Sequence, residues 1–212
     1  MSEALAIELV VEPVDRVVAE VAVAFCFRED RPLRGPAGRA DWRLCGDLSR
    51  FVADGAGGID PGGVGASALL LPTEGRLRSG RFLLLDLGAA ADFGPDACAR
   101  AVQDAACRIL DLRVKSVALG PPGDWLDRIP VGIGAQACVR GAVSALEGTG
   151  RNLEIRLVTT PERVARTLRG LEAAAADMSD RGIQITLPSR ERIAKPTRPP
   201  ASGPRPGSYV QP

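Results

Sequence analysis

Histidine is missing from this chain altogether, and with it goes the commonest general acid–base group and a frequent metal ligand. Lysine occurs only at Lys115 and Lys195, asparagine only at Asn152 and tyrosine only at Tyr209. Arginine therefore carries nearly all the positive charge, and a guanidinium does not give up its proton in a protein. The five cysteines, Cys26, Cys45, Cys98, Cys107 and Cys138, form no CxxC pair. On a helix Cys98 and Cys107 would stand about 180° apart around the axis, so they cannot share a metal. They read as free thiols of a reducing compartment. No apolar run approaches the roughly 20 residues of a membrane span. The start, MSEALAIELVVEP, has no basic region ahead of its apolar stretch, which excludes a signal peptide and points to a cytoplasmic protein. A net charge of +1 argues against a strong nucleic-acid or anionic-membrane footprint.

What is present suits a globular α/β protein. The 212 residues are 45% hydrophobic and 25% charged, enough for one domain with a real core and a tail. Two Val-rich runs, 5–11 and 18–27, suggest adjacent strands. Trp42, Cys45, Leu48 and Val52 recur at three and four residues, which predicts one helix over 36–53. A glycine-rich loop follows over 55–65. The apolar runs 68–71 and 82–87, joined by a polar turn, predict a hairpin.

From there helix and strand alternate. Helices are expected over 95–111, 135–146 and 160–178, with strands at 114–119, 153–158 and an edge strand at 183–187. Alternation of this kind implies parallel pairing. The resulting fold class is α/β, a mixed sheet of about six to seven strands with helices on both faces. Residues 1–187 form the domain; 188–212 are a disordered Pro/Arg-rich tail, basic and almost without apolar anchors.

The stretch RPLRGPAGRADWRLCGDLSRF, from Arg31 to Phe51, resembles the segment after the second strand in the N-terminal domain of the leucyl (cytosol) aminopeptidase family. FLLLDLG and the helix ending at Leu110-Asp111 fit the same pattern, less specifically. The resemblance implies a three-layer α/β/α, macro-domain-like fold. In that family this domain carries no catalytic group; it packs on a separate two-metal catalytic domain and helps build the oligomer. No NTDAEGR-like string of the catalytic half is present. The resemblance thus implies a protein that is not an enzyme, with no catalytic residue, metal or cofactor. It would be a non-catalytic interaction or oligomerisation module, with a homo-oligomer or a protein partner. Arg34, Trp42 and Arg43 are the interface candidates, Trp42 being either a core anchor of its helix or a subunit contact.

A second reading starts from GIGAQA, 132–137, which fits the GxGxxA form of a dinucleotide fingerprint. That fingerprint should directly follow a strand, and here the strand ends near Leu119, a dozen residues too early. A loop leading into a helix N-terminus still presents free amides to a phosphate. Gly132, Gly134, Ala135 and Gln136 are therefore the ligand candidates for a macro-like, ADP-ribose-type nucleotide site. Against it, the only asparagine lies in a late turn, far from any ribose contact. No GxxxxGK loop, GxSxG elbow or zinc-ligand spacing occurs.

Overall fold

In a computed structural model the described residues are 3–54, 66–72 and 75–188. The expected glycine-rich loop 55–65 and, apart from Pro188, the expected tail 188–212 lie outside them. Seven strands make one sheet: β1 (Ala4–Val10), β2 (Val21–Cys26), β3 (Ser67–Leu70), β4 (Arg81–Asp86), β5 (Ser116–Leu119), β6 (Asn152–Val158) and β7 (Gln184–Thr186). Their spatial order is β3-β4-β2-β5-β6-β1-β7. β3 runs antiparallel to β4 as the predicted hairpin, and every other neighbouring pair is parallel.

The expectation that the first two strands neighbour each other is corrected. β1 pairs with β6 and β7, while β2 lies between β4 and β5. A crossover through a short 3-10 turn, Val14–Arg16, carries the chain between them. Val14 and Val17 of that crossover are buried, so the connection is part of the core, not a hairpin turn.

Strict alternation along the central strands divides the core in two. Val21, Val23 and Phe25 of β2 and the following Phe27 pack, with Leu83 and Leu85 of β4, against helices α3 (Pro95–Asp111), α4 (Val131–Leu146) and α5 (Val164–Asp177). Ala22, Ala24 and Cys26, with Phe82 and Leu84, pack on the opposite face against α1 (Gly35–Arg43) and α2 (Asp47–Ala53). This is the expected α/β/α sandwich with a mixed sheet.

Two local differences matter for the site. The helix expected over 36–53 is broken, because Cys45 and Gly46 take φ of 56° and 83°. Gly46 donates its N–H back to the Asp41 carbonyl, and the Asp41 carboxylate accepts from the Ser49 N–H at 3.0 Å, capping α2. The apolar series Trp42-Cys45-Leu48-Val52 therefore spans a kink. Leu48 and Val52 are buried, but Trp42 is 79% exposed. The core-anchor reading of Trp42 fails, since α1 seats itself through Ala37, Ala40 and the following Leu44 instead.

The second difference is at α4, which begins at Val131, four residues earlier than expected. Gly132 and Gly134 are thus helical, and their use is space rather than a special φ. A Cβ on Gly170 of α5 would come within 2.2 Å of the Gly132 carbonyl oxygen. The two helices cross there with backbone against backbone.

A crevice at the strand ends and an arginine-lined groove

The chain leaves β2 towards α1 on one face of the sheet and leaves β5 towards α4 on the other. The gap between the carboxyl ends of β2 and β5 is therefore the point where the winding reverses, the usual place for a ligand in an open parallel sheet. Loop 27–34, the start of α1, loop 87–94 and loop 120–130 meet there. Phe27 forms the floor, with Phe93 edge-on at 5.0 Å and Trp125 tilted at 5.5 Å between ring centroids. The indole of Trp125 lies on Gly35, where a Cβ would stand 2.6 Å from the ring, and Gly35 has φ of 55°. Gly123 meets Phe93 equally closely, at 2.7 Å from its would-be Cβ. Bare glycines on both lips are what let the aromatic cluster close over the strand ends. The Trp125 Nε1–H is buried and donates to no protein atom.

Charged groups surround this cluster. Asp30 is buried and accepts from the Phe27 N–H at 2.9 Å, fixing the first turn of loop 27–34. Asp86, at the end of β4, accepts from the Gly88 N–H at 2.6 Å. Burial raises its carboxyl above the usual range, against the opposing pull of the Gly88 hydrogen bond and of Arg31 and Arg28. Burial likewise raises Asp124, despite its ion pair with Arg163. Arg163 also reaches Asp127 at 2.6 Å, so one guanidinium at the start of α5 pins the loop carrying Trp125. The Cys26 thiol is pushed up to about 12 by burial first and Asp86 second, which leaves it protonated and unreactive at neutral pH. No group of three or more metal-ligating side chains occurs among the described residues.

A second concavity lies between the 3-10 turn 14–16 and α1. It encloses about 440 Å³ and is lined by Asp15, Arg16, Arg34, Arg39, Trp42 and Arg43, with Gly35 and Gly38 baring the helix surface. Asp15 is 3% exposed. Its Oδ1 accepts from Arg39 Nε and its Oδ2 from Arg43 Nε, each at 3.2 Å. The Arg43 guanidinium also stands 5.7 Å from the Trp42 ring centroid.

The three interface candidates, Arg34, Trp42 and Arg43, thus come together in this groove. The four ligand candidates do not share one surface. Gly132 and Gln136 line a smaller hollow of about 210 Å³ with Arg166 and Arg169 of α5, whereas Gly134 and Ala135 are buried in the helix packing. Sequence reasoning passed over Trp125 and Arg163 at the crevice and Arg16 and Arg39 at the groove. A tryptophan two residues after the Gly-Pro-Pro-Gly run 120–123 was the one available signal; nothing local marked the arginines.

No protein-family model and no curated protein matches this sequence. Solved structures match its fold. The Oceanobacillus iheyensis macrodomain with MES bound is similar at a TM-score of 0.62 and 11% identity, over 80% of this chain and 93% of that one. The Trypanosoma brucei macrodomain in complex with ADP-ribose gives 0.61 and 14%, over 76% and 67%. A tomato leucine aminopeptidase mutant gives 0.59 and 17%, over 82% of this chain but only 37% of that one. The fold is macro-domain-like. The expectation that the chain is not an enzyme is overturned by these matches. It rests on likeness to the non-catalytic part of a peptidase alone, while the same fold accounts for nearly the whole of a macrodomain chain.

Proposed function

We propose that this chain binds a nucleotide of the ADP-ribose type at the crevice between the ends of β2 and β5. The observation that carries this reading is the fold likeness to macrodomains, one of which was solved in complex with ADP-ribose and also with ADP. The aminopeptidase likeness, on which the interaction-module reading leans, extends to little more than a third of that enzyme.

Local chemistry supports the same reading. α1 begins at Gly35 on the rim of the crevice, and a helix N-terminus favours a diphosphate through its free amides, although Pro36 supplies none. Arg28, Arg31 and Arg34 on loop 27–34 add the positive charge that a diphosphate needs. Phe93 and Trp125, half-buried over the core ring of Phe27, offer ring faces to a base. Trp125 covers Gly35, so ligand entry requires the indole to move aside. Its Nε1–H has no protein acceptor to give up, and that movement breaks no protein hydrogen bond of the indole.

Titration of the Trp42→Phe chain with ADP-ribose tests this, because Trp125 is then the single fluorophore. A saturable change in Trp125 emission, matched by calorimetry, is expected. Gly35→Ala, which forces a methyl against the indole, should weaken binding by about tenfold or more. At a hundred times the dissociation constant the ligand should add about 2.7 kcal/mol to stability, a rise of roughly 5–10 °C in a domain of this size. Silent fluorescence and no heat at millimolar ADP-ribose would sink the proposal.

A further inference from the structure

We infer that the groove between the 3-10 turn 14–16 and α1 is a separate anion site. It takes a nucleotide-sized ligand bearing several phosphates, with the phosphates on the arginines and the ring on Trp42. The groove shares Arg34 and Gly35 with the rim of the crevice but has its own ring: Trp42 lines it and Trp125 does not.

Charge is the first observation. Four guanidiniums, Arg16, Arg34, Arg39 and Arg43, face one cavity; Asp15 pairs with Arg39 and Arg43, and Asp30 stands 3.9 Å from Arg34, which leaves arginine in excess in a chain whose overall charge is only +1. Such a local excess of arginine is spent on solvation unless an anion shares it, and arginine matches phosphate geometry through paired N–H groups.

Pre-organisation is the second. Asp15 is almost wholly buried, and it takes one hydrogen bond from the Nε of Arg39 and one from the Nε of Arg43. Both contacts use Nε, so the terminal amino groups of the two arginines remain to meet an anion. Their side chains are 54% and 33% exposed, and they are already held in place before a ligand arrives.

Shape and the indole are the third and fourth. A volume of about 440 Å³ falls in the range of roughly 300–1,000 Å³ typical of small-molecule sites. Gly35 and Gly38 form part of its α1 wall. Trp42, 79% exposed, contributes nothing to the seating of α1, which the alanines on its other side accomplish. An indole on the rim of an arginine-lined cavity offers a stacking face for a base, worth about 1–3 kcal/mol per base in sites of this chemistry. The shared chemistry is a run of phosphates followed by a planar ring. It could come from a free nucleoside triphosphate or from the 5′-triphosphate end of a strand.

The test uses the full chain carrying Trp125→Phe, in which Trp42 is the single indole. Its emission is followed during titration with inorganic tripolyphosphate, with ATP in magnesium-free buffer and with a short 5′-triphosphorylated single-stranded RNA. Tripolyphosphate and ATP are expected to bind saturably, ATP more tightly. Arg34→Gln and Arg39→Gln should each weaken both by about tenfold, as loss of a charge-assisted hydrogen bond does. Calorimetry on Trp42→Ala should show ATP weakened and tripolyphosphate unchanged. Tighter binding of the RNA than of ATP would assign the strand end; failure of the RNA to bind would assign the free nucleotide. The inference is overturned if neither tripolyphosphate nor ATP binds, or if both arginine variants bind as the parent does. Calorimetry on the unsubstituted chain gives the same answer should Trp125→Phe fail to fold. The ADP-ribose titration reads Trp125 alone, so either site can fail without the other.

Discussion

The two faces of the sheet are built on different terms. On one side α3, α4 and α5, of 17, 16 and 14 residues, lie on a continuous apolar layer and meet each other closely. On the other, α1 and α2 have only nine and seven residues. There a kink, a crossover strand connection and a buried carboxylate held by two arginines replace a third layer of regular packing. The first face has little freedom to do anything but hold the sheet. Residues with positive φ at Gly35, Cys45 and Gly46, the arginine groove and the exposed indole all belong to the second. The difference teaches where stability and where binding are to be sought in this molecule.

The strongest way to break that comparison is to crowd the regular face. A Cβ on Gly141 of α4 would stand 2.3 Å from the Ala99 carbonyl oxygen and 2.9 Å from the Gln103 nitrogen of α3. Gly141→Leu should therefore cost about 3 kcal/mol or more through overpacking against backbone. Thermal unfolding should fall by roughly 6–12 °C. A loss of a degree or less would mean that α3 and α4 are free to part, and the contrast between the faces would not hold.

A smaller effect of opposite sign is expected at the crevice. Asp86 is buried with its carboxyl raised above the ordinary range, mainly by burial. A carboxyl raised on folding binds its proton more tightly in the native state. Its favourable contribution is complete below the unfolded value near 3.8 and is lost as pH rises through the folded value. Asp86→Asn keeps an oxygen for the Gly88 N–H and removes the buried charge. Its melting temperature should match the parent in acid, then exceed it by about 2–4 °C near neutral pH, the equivalent of roughly 1 kcal/mol. An equal gain at every pH, or a loss at neutral pH, would contradict this account.

The smallest effect belongs to Trp42. At 79% exposure, Trp42→Ala should leave stability within about 0.5 kcal/mol of the parent, as surface changes away from packing do. Chemical denaturation is the suitable measurement. A cost of 2 kcal/mol or more, the scale of burying an aromatic ring, would place Trp42 in the fold rather than in a binding surface.

The sequence alone determined the regular face and the order of elements. Three-and-four spacing in α3 and the apolar runs 82–85 and 117–119 are local signals, since each side chain's burial follows from the period of its own element. The hairpin of β3 and β4 and the edge position of β7 were legible for the same reason. Tertiary structure decided everything that depends on residues far apart. β1 and β2 are separated by β5 and β6 because parallel pairing is set by crossovers, which no local pattern specifies. Trp42, Cys45, Leu48 and Val52 read as one helix over 36–53 because period says nothing of a left-handed Cys45. Gly132 reads as part of a helix-entry loop in the sequence but serves here, with Gly170, as space between α4 and α5, a use that only the facing backbone reveals. Asp15 and Arg39 are 24 residues apart, and α2, β3, β4, α3 and β5 all lie between Gly35 and Trp125. Groove and crevice exist because folding carries these side chains together, and charge and ring chemistry become a site only at that distance.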